Sequence, residues 1–348
     1  MLKKTPSRST PSRKKQHVAI TLTRDVQFQK KTTGLDRLQF VHNALPEVNL
    51  SQIDTSITFL GKKLAAPFMV SCMTGGYADA LTINRKLAEV CEEQGIAMGV
   101  GSQRQAMEDQ RYHRTFGIVR EVATTIPIVG NIGATEVAKM ANVDPAMRLV
   151  DLIGADALTV HLNPLQEFLQ PEGNTDFRGV LAGIERLTTG LSVPVIVKEI
   201  GAGISSDVAR RLLDVGVRHI DIAGAGGTSW AGVETLRRKE KDFASKFWDW
   251  GIPTSVALRD ASHLKASREF TLIASGGIST GMEAAKCIAL GADLVGSARP
   301  MLTTLHRGGK KRLGDLLEMW KRELRGILFL TGSANIAALQ KTQLVEYA

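Results

Sequence analysis

From about residue 66 onward the chain alternates short apolar runs with longer segments whose apolar residues recur at helical spacing. The runs cover 67–72, 96–100, 127–131, 157–161, 193–198, 219–223, 271–275 and 293–297, each closed by Gly, Ser, Asn or another polar residue. Most are continuously apolar rather than alternating, the signature of parallel strands buried on both faces. Helical spacing covers 81–94, 112–124, 145–153, 180–187, 206–215 and 281–289. A ninth apolar run, 252–258, reads as a helix start with Thr254 in the capping position. Eight strands alternating with helices predict a single (β/α)8 barrel over 66–340. The competing doubly wound sheet would gather its polar strand ends at one switch point, whereas here they follow nearly every strand.

Outside the repeat, 57–60 and 63–65 flank a Gly-Lys turn and predict a hairpin plugging the barrel bottom. A long insertion, 224–270, separates the sixth and seventh strands and carries Trp230, Trp248 and Trp250. On the catalytic face, such a loop predicts a lid. Residues 313–340 read as the last helices.

The charge is not spread evenly. The chain of 348 residues carries a formal +9, yet residues 1–37 hold ten basic and two acidic side chains, so the rest is nearly neutral. Residues 1–12 read as a disordered basic tail, because Ser, Thr, Pro and Lys cannot build a core. Residues 13–65 read as an arm and hairpin. Cys72, Cys91 and Cys287 form no CxxC pair, which excludes a structural zinc motif and suggests free thiols in a reducing cytoplasm. No apolar run reaches the roughly 18 residues of a membrane span. A basic arm can bind nucleic acid, but the near-neutral body without interleaved aromatics argues against it.

In such a barrel the active site lies at the C-terminal strand ends. Here those ends offer Cys72, Met73 and Thr74; Ser102, Gln103 and Arg104; Asn131; His161, Asn163, Gln166 and Glu167; Lys198; Thr228; Gly277, Ile278 and Ser279; and Ala298 and Arg299. Glycine-rich turns after strands seven and eight present N–H groups to a phosphate, and Gly-Gly-Thr after strand six adds more. Lys198 ends a buried strand and needs an anionic or polarisable partner; Glu199 should point to the opposite face. A phosphate on one side of the mouth and a polar ring across it describe a flavin mononucleotide. Glu167 is a candidate metal ligand, and His161 a base or hydrogen-bond donor. No Asp or Glu is read at a reacting carbon.

The set Met73-Thr74-Gly75-Gly76, Gly101-Ser102-Gln103-Arg104, Gly130-Asn131-Ile132-Gly133, His161-x-Asn163-x-x-Gln166-Glu167, Val197-Lys198-Glu199 and Gly226-Gly227-Thr228 resembles the type 2 isopentenyl-diphosphate isomerases over about residues 13–340. Related FMN barrels lack the Ser-Gln-Arg and His-x-Asn-x-x-Gln-Glu elements. Arg13-Lys14-x-x-His17 looks like that family's diphosphate-binding segment. The resemblance implies a cytoplasmic homotetramer or homo-octamer that interconverts isopentenyl and dimethylallyl diphosphate with reduced FMN and Mg2+, NADPH or NADH reducing the flavin. It implies that Cys72, Met73, Thr74, Ser102, Asn131, Lys198, Thr228, Gly277, Ile278, Ser279, Ala298 and Arg299 hold FMN. Arg13, Lys14, His17, Ser102, Gln103, Arg104, Asn163, Gln166 and Trp230 then meet substrate, Gln166 and His161 take catalytic roles, and Glu167 meets Mg2+. Ala223, Ser279 and Arg299 depart from the expected pattern, Arg299 replacing an apolar residue. An FMN-dependent 2-hydroxy-acid oxidase is the alternative enzyme, but residues 222–229 lack its His–Arg pair.

Overall fold

The computed structural model describes residues 10–346. Eight parallel strands close into a barrel: β1 Phe68–Val70, β2 Ala97–Gly99, β3 Ile128–Gly133, β4 Ala157–His161, β5 Val195–Lys198, β6 His219–Asp221, β7 Thr271–Ala274 and β8 Leu294–Ser297. Closure runs from β8 back to β1, with Val295 opposite Phe68 and Ser297 opposite Val70. All eight coincide with the apolar runs. Their residues are buried on both faces because helices cover the outside and side chains fill the inside.

The hairpin Ile57–Phe59 and Lys62–Leu64 does plug the barrel's N-terminal end. Phe59 and Leu64 pack on Met69, Ala97, Val129, Ala157, Ile196, Ile273 and Leu294, one residue from each of seven strands. Burying two such side chains contributes about 1.5–3 kcal/mol each.

Three elements differ from the sequence expectation. A helix occupies Thr10–Thr23, starting inside the stretch read as a tail; residues 1–9 of that tail lie outside the described residues. The helix predicted from residue 252 spans Thr254–Ser262, but Thr254 does not cap it. Its Oγ1 instead donates to Gly276 O (2.6 Å), tying this helix to the turn after β7. The final long helix begins at Arg299, directly after β8, and reaches Leu330. It is broken at Gly309 (φ 67°), and the Gly308-Gly309 pair is what hid its first turns from periodicity. The chain then folds back, Leu344–Glu346 pairing antiparallel with Leu38–Phe40. Among the described residues no helix is long and apolar enough to cross a membrane.

Candidate active site

The C-terminal strand ends open into one cavity of about 910 Å³, a size suited to a cofactor or small ligand. All the site residues named from sequence line it except Thr74 and Gln103. Those two face into the wall. Gln103 is fully buried, its Nε2 donating to Leu149 O (2.9 Å) and its Oε1 accepting from Asn131 N (3.0 Å). Thr74 Oγ1 donates to Asn84 Oδ1, and Asn84 Nδ2 in turn donates to Thr115 O (2.7 Å). Both side chains are hydrogen-bonded within the protein and thereby position the loops that frame the cavity.

One side of the cavity is built from glycine turns. Gly276 (φ 99°) and Gly277 (φ 75°) follow β7 in a conformation side chains rarely adopt. A Cβ on Gly276 would strike Gly224 O, and one on Gly277 would come within 2.5 Å of Thr33 Cγ2. The turns after β6 and β7 therefore stack backbone on backbone. On the same side, Ser71 Oγ at the end of β1, the neighbour of β8, is buried, lines the cavity and has no protein partner. Left-handed glycine turns beside an orphaned hydroxyl fit the phosphate and polar chain of FMN.

Lys198 ends β5 in this cavity, and it does not pair with the Glu199 carboxylate: its Nζ donates to the Glu199 main-chain O (2.5 Å). The parallel register sets Lys198 beside Asp221 of β6, with Nζ 3.9 Å from Oδ2. Asp221 also accepts from Ser275 Oγ (2.6 Å) and Ala223 N (3.2 Å). Burial pushes its carboxyl up, and Lys198 and these donors offset part of that. The Glu199 side chain instead gathers the N–H groups of Ile200, Gly201, Ala202 and Gly203, shaping the loop after β5. Next to this pair, burial pushes the Cys72 thiol up to about 11, so it stays protonated.

At the end of β4, His161 Nδ1 lies 2.9 Å from Asn131 Oδ1. Burial, reinforced by Lys198 and Lys14, lowers His161 to about 3. The ring is neutral, and a hydrogen bond with the Ile132 backbone offsets part of the shift. Asn163 opens the short helix Pro164–Leu169, and its Nδ2 donates to Gln166 Oε1 (3.1 Å) and Glu167 Oε1 (3.0 Å). Glu167 Oε2 accepts from Asn174 N (2.6 Å). Among the described residues no three His, Cys, Asp or Glu side chains cluster as a metal cage. A single carboxylate suits Mg2+ when a diphosphate supplies further oxygens.

The other side of the cavity is the arm. Lys14 reaches Gly75 O (3.0 Å) and Ser102 O, and its ammonium stands 5.4 Å from the centre of the Phe116 ring. Burial, then Arg13 and Arg104, push it down to about 7, with Glu108 pulling the other way. Arg13 lies 4.0 Å from Glu172, and Arg104 pairs with Glu108 (2.9 Å) and Glu136 (3.4 Å). Three cations thus converge at one end of the cavity.

Sequence reasoning missed Glu234. It is fully buried in the helix Trp230–Arg237, behind the cavity wall. Its Oε1 accepts from Gln166 Nε2 (3.4 Å) and lies 2.9 Å from His17 Nε2; its Oε2 accepts from Arg237 (2.5 Å). Burial alone pushes it up, but His17 and Arg237 outweigh that and hold its carboxyl below the usual range. Trp230, four residues earlier on the same helix face, lines the cavity and meets His17 edge-on at 5.4 Å. That i,i+4 spacing was the available signal.

A parallel barrel with glycine turns beside a basic strand-five side chain defines the class of FMN-binding (β/α)8 enzymes. The profile of the FMN-dependent dehydrogenase family matches residues 7–116 and 154–346. The lactate oxidase, so titled as putative, of Pediococcus acidilactici shares the fold, with a TM-score of 0.70 at 16% identity over 97% of this chain and 94% of that one. Much closer in sequence is the isopentenyl-diphosphate delta-isomerase of Pelodictyon phaeoclathratiforme, 46% identical over 99% of both chains. That of Chlorobium luteolum is 47% identical over 97% of both. This chain belongs to the FMN-dependent, type 2 isopentenyl-diphosphate delta-isomerase family.

Proposed function

We propose that this chain interconverts isopentenyl diphosphate and dimethylallyl diphosphate, using reduced FMN and Mg2+ with NADPH or NADH as the reductant. The carrying observation is that one cavity joins the glycine turns and Lys198 on one side to Arg13, Lys14 and Arg104 on the other. A flavin and a diphosphate are the two anions this layout accommodates together.

Backbone amides of Gly277, Ile278, Ala298 and Arg299 hold the FMN phosphate and Thr228 adds a hydroxyl, whereas the Ser279 N–H and hydroxyl both donate to Glu283 Oε2 (2.7 and 2.9 Å). Cys72, Met73, Ser102, Asn131 and Lys198 meet the ring. Arg13, Lys14 and Arg104 bind the diphosphate as charge-assisted donors, while Glu167 contributes one oxygen to Mg2+. His17 and Trp230 wall the hydrocarbon end, where their edge-to-face rings keep water out. Asn163 fixes the Gln166 amide, which orients the tail. The neutral His161 ring stays a hydrogen-bonding group rather than a cation, so it adds no charge beside the alkene. Reduced FMN supplies an electron-rich ring that stabilises positive charge beside the alkene and nitrogens that carry protons.

Anaerobic incubation of isopentenyl diphosphate with the protein, dithionite-reduced FMN and Mg2+, followed by NMR, is the direct test. Dimethylallyl diphosphate is the expected product, and its absence removes the assignment. Gln166→Ala lowers kcat by about a hundredfold or more while visible absorbance shows FMN still bound, since a misoriented tail loses the near-attack geometry. Near-normal turnover excludes this role.

Lys14 carries a pH signature. Its amine, at about 7 beside Arg13 and Arg104, is mostly neutral at pH 8, and a diphosphate favours the charged form. Binding at pH 8 therefore takes up about one proton, and affinity falls as pH rises above 7. Calorimetry in two buffers of different ionisation enthalpy measures this uptake; Lys14→Met abolishes it.

A further inference from the structure

Arg299 stands where the turn after β8 enters the last long helix. Its guanidinium turns away from the turn: Nε donates to Thr21 O (2.9 Å) and one terminal nitrogen to Arg24 O (3.1 Å). Those carbonyls belong to the end of the helix Thr10–Thr23 and the residue that follows it. Carbonyls at a helix C-terminus lack intrahelical donors, and a cation there also meets the negative end of the helix dipole. Burial pushes the Arg299 guanidinium down, Asp25 opposing and Arg307 adding to the shift.

Just beyond this point the chain is pinned to the barrel. Phe28 N donates to Gly227 O (3.1 Å), Ser229 N to Val26 O (2.7 Å), and Ser255 N to Thr33 O (2.9 Å). Residues 24–25 are thus the joint between a fixed strap and the arm helix, and Arg299 spans that joint. The other contacts of the arm are made by side chains. On that reading Lys14 and Arg13 would exchange partners for a diphosphate, His17 and Gln16 meet Glu234 and Arg237 through their side chains, and Lys15 pairs with Asp79 between exposed groups, which contributes little. The Arg299 contacts go to main chain, so they persist through that exchange.

We propose that Arg299 is the latch of the arm: a positioning residue that fixes the hinge of the helix Thr10–Thr23 to the turn after β8. The proposal rests on the reading of the arm as a substrate clamp, and it assigns the Arg299 side chain to the arm. The FMN contact falls to the backbone of this turn. A lysine cannot reproduce the latch fully, because one ammonium does not match the two-point fork.

The test uses the FMN-loaded protein with no substrate. Hydrogen–deuterium exchange followed by mass spectrometry reads the arm helix in the natural protein, Arg299→Lys and Arg299→Leu. Exchange over residues 13–23 accelerates about tenfold or more in Arg299→Leu and to an intermediate degree in Arg299→Lys, as expected for two lost hydrogen bonds. The KM for isopentenyl diphosphate rises about tenfold, more than kcat falls. Unchanged exchange overturns the proposal. So does loss of FMN with arm exchange unchanged, which returns Arg299 to the cofactor. Faster exchange with an unchanged KM supports the latch and removes the arm from substrate capture. If Arg299→Leu does not fold, Arg299→Lys alone decides, since it keeps the charge and loses one donor.

Discussion

Deletion of residues 1–17 lowers kcat/KM for isopentenyl diphosphate by about a thousandfold while FMN stays bound. The segment takes with it Arg13 and Lys14, two of the three cations that converge at one end of the cavity, and His17, which edges Trp230. A hydrogen bond to a charged group contributes about 1.5–3 kcal/mol, so two such groups account for about 4 kcal/mol, or three powers of ten. The barrel is not expected to unfold: the strap over 26–33 and the hairpin remain, and buried Glu234 keeps Arg237. Arg13→Ala with Lys14→Ala, which leaves the helix in place, should reproduce most of the loss. Steady-state kinetics at saturating Mg2+ measures both, and an unchanged kcat/KM discards the clamp.

The second large effect concerns Lys198. Lys198→Ala yields protein that elutes colourless from gel filtration and is destabilised by about 3–5 kcal/mol, because Asp221 is left as an uncompensated buried charge. The two losses have separate causes, and a second variant divides them. Lys198→Ala combined with Asp221→Asn recovers much of the stability, since the amide needs no counterion and can still accept from Ser275 Oγ. It does not recover the flavin, because the cation facing the cavity is still missing. Thermal unfolding and the visible absorbance of the eluted protein report the two quantities independently. Full FMN retention in either variant rules out Lys198 as a flavin contact.

The architecture was legible because buried parallel strands leave a coarse trace: continuous apolar runs such as 127–131 can be read without their neighbours. Polar residues closing those runs located the cavity by the same logic. What stayed hidden depended on relations between elements. The pairing of Lys198 with Asp221 follows from strand register, which no single strand encodes. Gln103 belongs to the most specific motif in the chain, yet its amide faces Leu149 O rather than the cavity, because the turn after β2 rotates it into the wall. Glu234 looked like any charge on an insertion until Gln166, His17 and Arg237 closed around it. The arm helix has a largely polar sequence with no strong apolar face, and contacts with the cavity rim hold it in place rather than a core of its own.

The hairpin wedged beneath the strands has a consequence for traffic. With Phe59 and Leu64 sealing the floor, whatever occupies the cavity enters through the doorway at the opposite end. On the proposed reading, the electron donor and the five-carbon ester would queue for it, so an excess of either should slow the arrival of the other.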